Sequence, residues 1–250
     1  MDAPTAQRDF SAYGLSHWIV LALFAVGAVL VVVIGRKHRN DTAARRFSRT
    51  FGVVTLGLYL AIYLSTLFPP ALSRSVPLRL TDLATIVAGY ALLTHERWAY
   101  ALTYYWCLTL STQALISPAL QSPDFPNYEF LAFWAIHLAV VWAAIYLTWG
   151  IGMHPTWRSY WFAVAVTVAW VAVTFVFNSL ADTNYGFVNR KPSTLSLLDV
   201  LGPWPWYLAT VAGLLLAAWA LMTWPWVRSA SRSGALAPSH RVSSQRTEDS

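Results

Sequence analysis

Seven long apolar segments divide this chain of 250 residues, and they constrain its fold more than any other feature. A helix needs about 20 mostly apolar residues to cross the hydrocarbon core of a bilayer. Charged residues make up only 11% of the chain, whereas soluble domains carry about 25%. We therefore predict an all-α fold, a polytopic membrane bundle of seven transmembrane helices within residues 17–226. The segments run approximately over 17–34, 47–68, 78–94, 98–118, 127–150, 158–181 and 204–226.

The basic residues predict how this bundle is oriented. If successive segments alternate in direction, twelve of the 17 Lys and Arg residues fall on one side, and basic residues accumulate on the cytoplasmic side of membrane proteins. We therefore expect an extracytoplasmic N-terminal segment over 1–16 and a C-terminus in the cytoplasm. Residues 227–250, rich in Ser and Arg, should form a disordered cytoplasmic tail. The twelve basic residues are Arg36, Lys37, Arg39, Arg45, Arg46, Arg49, Arg97, Arg158, Arg228, Arg232, Arg241 and Arg246.

Composition also indicates which partners and ligands the chain can have. The net charge is +6, and the basic residues cluster beside apolar segments and not on a soluble face. We therefore expect the chain to contact membrane lipids and not nucleic acid. The single cysteine, Cys107, excludes an internal disulfide and a cysteine-cluster metal site. We expect no metal and no cofactor, and a multi-pass location in the cell (plasma or inner) membrane. The sequence leaves the oligomeric state open.

Four polar residues lie within four different apolar segments: Asp82, Gln113, His137 and Asn178. An ionisable group in hydrocarbon costs about 2.5–3.5 kcal/mol on insertion scales, so such residues usually face a bundle interior. All four fall toward the predicted outer side, which indicates one polar pocket in the outer half. His137 fits two roles: a hydrogen-bonding contact between helices, or a proton carrier.

The third segment is unusually short and begins with polar residues. Its fully apolar part covers only 83–93, so Arg79, Thr81 and Asp82 should lie in its outer turns. A short span with a polar end is typical of a cavity wall. The alternative is that Arg79 reaches a lipid phosphate, Asp82 caps the helix and the Thr81 hydroxyl bonds its own backbone.

The predicted outer loop between the last two segments adds further polar residues. Asn178 and Asp182 are four residues apart on one helix face, and Asn184 follows them. Arg190 and Lys191 are candidates for binding a lipid phosphate, and ordinary headgroup contact is the alternative.

These segments together resemble the YwaF family of bacterial integral membrane proteins over roughly residues 15–225. That family looks related to the eukaryotic transmembrane protein 164, an acyltransferase acting on phospholipids. The most specific motif is Gly202-Pro203-Trp204-Pro205-Trp206-Tyr207. The matching stretches are 77–82, 105–118, 125–137, 184–185, 191–192 and 198–207.

The resemblance implies a catalytic pair. The family pattern has a His-Leu-Cys triplet in the third span and a His two spans later. Here the triplet reads Arg79-Leu80-Thr81, while His137 keeps the position of the family's base. Thr81 therefore replaces a thiol, which is intrinsically a better nucleophile than a hydroxyl. Threonine nucleophiles with a His partner occur in a further similar group, the androgen-induced membrane hydrolases of fatty-acid esters.

The resemblance favours a lipid acyltransferase or lipid-ester hydrolase in which Thr81 attacks an acyl carbonyl and His137 takes its proton. Asp82, Gln113 or Asn178 would then orient the imidazole or stabilise the oxyanion. Two alternatives remain: a small-solute transporter, or a catalytically degenerate member that acts as a partner protein. The apolar inner halves of the segments count against a path across the membrane.

Overall fold

The chain folds into helices that run back and forth through one bundle. The computed structural model describes residues 8–39, 41–118, 120–192 and 197–235. These form seven longer helical stretches and two short 3-10 helices, Tyr185–Phe187 and Leu197–Leu201, without a β-strand. The predicted all-α class is therefore confirmed for the described residues. The stretches are α1 (Leu15–Lys37), α2 (Thr42–Thr66), α3 (Leu80–Thr94), α4 (97–116), α5 (Tyr128–Ile151), α6 (Trp157–Ala181) and α7 (Trp206–Ala235).

Five of the described helices, α1, α2, α5, α6 and α7, are long and apolar enough to cross a membrane, and α3 is apolar but shorter. Apolar side chains such as Val29 on α1 and Val168 on α6 are exposed on the outside of the bundle. A bilayer covers such surface. α5 is the central helix, since 61% of its apolar window is buried against 17% for each of the other four.

Two helices contain a π-helical segment, which the sequence did not predict. These segments are Thr103–Ser111 in α4 and Tyr146–Ile151 in α5. π turns interrupt the regular helical ladder and change the direction of nearby side chains. In α4 the buried Trp106 donates from Nε1 to Thr167 Oγ1 of α6 over 2.9 Å. The π segment of α4 thus joins the bundle core through polar as well as apolar contacts.

Glycine residues allow two helix pairs to approach closely. A Cβ added to Gly35 of α1 would lie 2.5 Å from the Cα of Gly150 in α5. A Cβ added to Gly52 of α2 would lie 2.9 Å from the carbonyl oxygen of Gly89 in α3. Small residues at such crossings are typical of membrane helices, because close backbone packing is a main source of their association.

One end of the bundle carries the N-terminal segment, and we call it the amino-terminal end. The Phe10 N–H donates to the Ser122 carbonyl over 3.0 Å, so the segment lies against the α4–α5 connection. The Tyr185 hydroxyl donates to the Leu72 carbonyl over 2.8 Å, which joins the α6–α7 and α2–α3 connections. The Tyr128 hydroxyl at the start of α5 donates to Ser65 Oγ near the end of α2 over 3.2 Å, so these four pieces of chain share one end.

The opposite end, which we call the basic end, holds the α1–α2, α3–α4 and α5–α6 connections. The Arg39 guanidinium donates from Nε and Nη2 to the Gly150 carbonyl over 3.0 and 2.9 Å. α7 continues at this end to Ala235, past the predicted boundary at 226. Residues 1–7 of the predicted N-terminal segment and 236–250 of the predicted tail lie outside the described residues. The basic side chains at this end are Arg36, Lys37, Arg39, Arg45, Arg46, Arg49, Arg97, Arg158 and Arg228.

Candidate functional site

His137 lies half-buried on the central helix, and its hydrogen bonding fixes its tautomer. The ring atom Nδ1 is 2.7 Å from the carbonyl oxygen of Phe133, one turn earlier on α5. A carbonyl oxygen only accepts hydrogen bonds, so Nδ1 carries the proton and donates it. Nε2 then has the lone pair, and no described residue donates to it. This is the protonation pattern of a histidine that acts as a base through Nε2.

The group that orients His137 is thus a backbone carbonyl. The sequence suggested Asp82, Gln113 or Asn178 for this role. The Phe133 carbonyl performs it within one helix, and the rings of Phe133 and His137 pack with centroids 4.2 Å apart. No side-chain pattern reveals such a partner, because every residue has the same carbonyl.

Thr81 lies in the first turn of α3, and α3 packs against α5. Its side chain is half-buried, and its carbonyl accepts a hydrogen bond from the Thr85 hydroxyl over 2.7 Å. The Thr81 hydroxyl itself makes no hydrogen bond within the described part of the chain. The alternative that the Thr81 hydroxyl bonds its own backbone is therefore wrong for the described residues.

Arg79 and Asp82 lie together at the start of α3, where the Asp82 N–H donates to the Arg79 carbonyl over 3.0 Å. Arg79 is the N-cap residue of this helix, and Asp82 lies in its first turn, where a negative charge is favoured. Both interact electrostatically with Tyr59 of α2. The Tyr59 hydroxyl is buried and has no hydrogen-bond partner among the described residues. Polar groups from α2 and α3 therefore meet close to Thr81.

The start of α3 is held in place by contacts from α6 and the following loop. Trp170 donates from Nε1 to the Leu78 carbonyl over 3.0 Å. The Tyr185 hydroxyl donates to the Leu72 carbonyl over 2.8 Å and accepts from the Val76 N–H over 3.3 Å. Burial raises the pKa of Tyr185, which keeps its hydroxyl protonated as a donor. The position of Thr81 thus depends on the α6–α7 connection.

Asn178 is buried and fully occupied by that connection. Its Oδ1 accepts from the Tyr185 N–H and the Thr183 hydroxyl, each over 2.8 Å. Its Nδ2 donates to the Tyr185 carbonyl over 3.0 Å and to Asn189 Oδ1 over 2.9 Å. A side-chain amide offers two donors and two acceptor sites, so none is left. Asn178 shapes the loop and has no hydrogen bond to give to His137 or an oxyanion.

The other polar residues of this loop pair with one another. Arg190 Nη1 lies 3.1 Å from Asp182 Oδ1, with both side chains exposed. Asn184 donates to the Arg190 carbonyl over 2.8 Å and accepts from its N–H over 3.2 Å. An exposed ion pair contributes little stability. Arg190 can therefore exchange the Asp182 carboxylate for another anion.

Lys191 is less available than Arg190. Its Nζ lies 3.6 Å from Asp199 Oδ1 and 5.8 Å from the centre of the Tyr207 ring. Of the two candidate headgroup-binding residues, Arg190 has the more exposed charge.

Gln113 does not join the polar residues near Thr81. Its side chain is exposed in the last turns of α4, and its carbonyl accepts the Ser117 N–H over 2.7 Å. The four polar residues of the apolar segments therefore do not form one pocket: Gln113 is exposed and Asn178 is occupied by the loop, while Asp82 and His137 lie on the two packed helices α3 and α5.

The described residues contain no group of three or more His, Cys, Asp or Glu side chains that could hold a metal ion.

A family model for the TMEM164 family matches residues 12–223, which is most of the chain. The chain belongs to the TMEM164 family. No curated protein and no solved structure matches it. The expected relation to transmembrane protein 164 is thereby confirmed, and the matched range includes both Thr81 and His137.

In this member of the TMEM164 family, the sequence did not point to a further histidine, which is buried in the bundle. His17 of α1 is fully buried; its Nδ1 accepts the Tyr13 N–H over 2.9 Å, so Nε2 donates to the Leu115 carbonyl over 2.9 Å. Both ring nitrogens are occupied, which makes His17 a structural residue. His17 stands at the edge of an apolar segment, where a histidine does not by itself indicate burial.

Trp134 is the second residue that the sequence did not single out. It stacks on His17 with ring centroids 5.2 Å apart, and it lies one turn before His137 on α5. Its indole N–H is buried without a hydrogen-bond partner among the described residues. Trp134 stands three residues before His137 in the sequence, and the structure shows its unpaired donor.

Proposed function

We propose that this member of the TMEM164 family transfers or hydrolyses acyl groups of membrane lipids, with Thr81 as nucleophile and His137 as general base. The observation that carries the proposal is the hydrogen bond from His137 Nδ1 to the Phe133 carbonyl. It leaves the Nε2 lone pair free on the central helix. The unpaired Thr81 hydroxyl lies on α3, which packs against that helix.

The chemistry follows from these two groups. Thr81 Oγ attacks the carbonyl carbon of a lipid ester while His137 Nε2 takes the hydroxyl proton. The bond from the carbonyl carbon to the leaving oxygen breaks, and that oxygen receives the proton from His137. The acyl group remains on Thr81 as an ester. An incoming alcohol then completes a transfer, or water completes a hydrolysis, and Thr81 is released.

The surroundings of Thr81 favour a lipid substrate. Thr81 lies in a bundle whose outer faces are apolar, and Arg190 offers an exposed charge at the same end for a phosphate group. The resemblance to a phospholipid acyltransferase supports the same substrate class. The substitution of Thr81 for the family's Cys predicts a slower acylation than a thiol would give.

We further propose that all seven helical stretches cross the cell membrane, with the amino-terminal end outside and the basic end in the cytoplasm. The alternation of the connections between the two ends and the arginines at the basic end support this orientation. α3 begins at the amino-terminal end, so Thr81 would open to the outer half of the membrane.

A fluorophosphonate probe, which traps activated hydroxyl nucleophiles, tests the catalytic pair in purified protein. We expect the probe to label the native protein and to fail with Thr81→Ala. Because general base catalysis contributes about 10²–10⁴-fold, His137→Ala should slow labelling by a factor in that range.

Thr94→Ala is the matched control, since Thr94 lies at the other end of α3 and its hydroxyl already donates to the Tyr90 carbonyl. It should label like the native protein. Labelling that persists in both Thr81→Ala and His137→Ala would overturn the assignment. Absence of labelling in the native protein would favour a partner protein without chemistry.

A further inference from the structure

A cavity of about 840 Å³ lies at the basic end, between the start of α4 and the start of α6. This volume is in the range of ligand-binding pockets, which are about 300–1,000 Å³. Thr81 belongs to the first turn of α3, whereas the α3–α4 turn that lines this cavity follows the last turn of the same helix. The cavity is therefore separate from the proposed catalytic pair.

The charged lining of this cavity is mainly basic. Arg97 and Arg158 line it, both exposed, and neither makes an ion pair or hydrogen bond with any described residue. Glu96 is the one carboxylate in its lining. An adjoining cavity of about 290 Å³ adds Arg45 and Arg49 without a further carboxylate. An anion entering here would meet four arginines and one glutamate.

His95 lies between the two cavities and forms a fixed wall. The Ser48 hydroxyl donates to the Leu92 carbonyl over 2.6 Å, so His95 Nε2 donates to Ser48 Oγ over 2.8 Å. Burial, together with Arg45 and Arg49, lowers the pKa of His95. The imidazole is therefore neutral at pH 7, and the arginines supply the positive charge.

The larger cavity also has an apolar side. Trp98, Ile151 and Phe162 line it, and the exposed fractions of Trp98 and Phe162 are 44% and 37%. Free inorganic phosphate has no apolar part that could contact the exposed aromatic rings beside the two arginines. A ligand with an anionic head and apolar chains would contact both parts of the lining.

We propose that this cavity binds the phosphate group of an anionic membrane lipid, with Arg97 and Arg158 holding the phosphate and Trp98 and Phe162 contacting the acyl chains. Guanidinium groups suit this role because their paired N–H groups bind phosphate oxygens in a bidentate manner. In the proposed orientation the lipid comes from the cytoplasmic leaflet. The inference goes beyond the proposed acyl chemistry and does not depend on it.

General attraction of basic residues to anionic headgroups would be spread over every arginine and lysine at this end. A built site concentrates the effect on the residues that line the cavity. Lys37 and Arg46 provide the comparison, because both are exposed at the basic end and line neither cavity. Replacing them removes the same charge as replacing Arg97 and Arg158.

The experiment measures the affinity of the purified full-length protein for short-chain phosphatidylglycerol, with short-chain phosphatidylcholine and inorganic phosphate as separate arms. We expect phosphatidylglycerol to bind best, and Arg97→Gln with Arg158→Gln to weaken it by about tenfold or more through loss of two charge-assisted contacts. Lys37→Gln with Arg46→Gln should change the affinity by less than about twofold, because contacts outside a site add only screened attraction.

Equal losses in the two double variants would overturn the proposal. Inorganic phosphate that binds as tightly as phosphatidylglycerol would overturn the lipid assignment and leave a site for soluble phosphate. If the double variant does not fold, Arg158→Gln alone serves the same comparison against Arg46→Gln. Arg97→Gln with Arg158→Gln should leave the fluorophosphonate labelling at Thr81 unchanged, so failure of the catalytic proposal and failure of this one are distinguishable.

Discussion

Replacing Asn178 with Ala removes four hydrogen bonds from a site that is 2% exposed. The backbone N–H and C=O of Tyr185, itself 4% exposed, lose their partners. Hydrogen bonds in membrane proteins contribute about 0.6 kcal/mol each, and an unpaired buried group costs about 1–3 kcal/mol. Two unpaired backbone groups and two further lost bonds sum to about 3–7 kcal/mol, and we expect a loss near the low end, roughly 3 kcal/mol, in the free energy of unfolding.

A fluorogenic maleimide reports this loss, because Cys107 is the single cysteine of the chain and is fully buried. The dye reacts when unfolding exposes the thiol. For a chain of this size 1 kcal/mol corresponds to about 2–4 °C, so Asn178→Ala should lower the melting temperature by roughly 6–12 °C. Asn184→Ala is the control, since its two bonds lie in a half-exposed position where water replaces them. Equal shifts in the two variants would refute the reasoning.

Three further predictions concern packing, pH and topology. Gly35→Leu should lower the melting temperature by several degrees, because overpacking costs about 1–3 kcal/mol, whereas Gly57→Leu, with open space around it, should not. Because folding lowers the pKa of His95, the unfolded chain binds a proton at a higher pH than the folded chain does. The free energy of unfolding is therefore highest above the unfolded pKa of about 6.5, and it declines as the pH falls below that value. His95→Asn, which tolerates the left-handed backbone at this position (φ 58°), should weaken that decline in melts between pH 7.5 and 5.5. A membrane-impermeant thiol reagent added outside intact cells should label Thr81→Cys, and labelling only after the cytoplasm is opened would contradict the orientation.

Hydropathy predicted the positions of the helices well, because burial in lipid requires long apolar runs wherever the chain folds. α1, α5 and α6 begin and end within a few residues of the predicted segments. α2 begins at Thr42, before its apolar run, and the extra turns carry arginines that lie at the basic end. The π segments were missed, since an inserted turn changes the hydrogen-bond ladder and leaves the hydropathy unchanged.

The candidate site was predicted less completely. The position of a residue in the sequence gives its depth along the helix. A lone polar residue does not show which way its side chain points, toward the bundle or away from it. Gln113 is exposed, and Asn178 forms hydrogen bonds with the loop that follows it in the chain. The carbonyl of Phe133 orients His137, and no pattern of side chains encodes that contact.

The most direct test of the acyl chemistry is mass spectrometry of the protein after incubation with a phospholipid. The account predicts an acyl ester on the peptide that contains Thr81, and its loss in His137→Ala. An acyl group on another residue, or an ester on Thr81 that forms equally well without His137, would contradict the proposed pair.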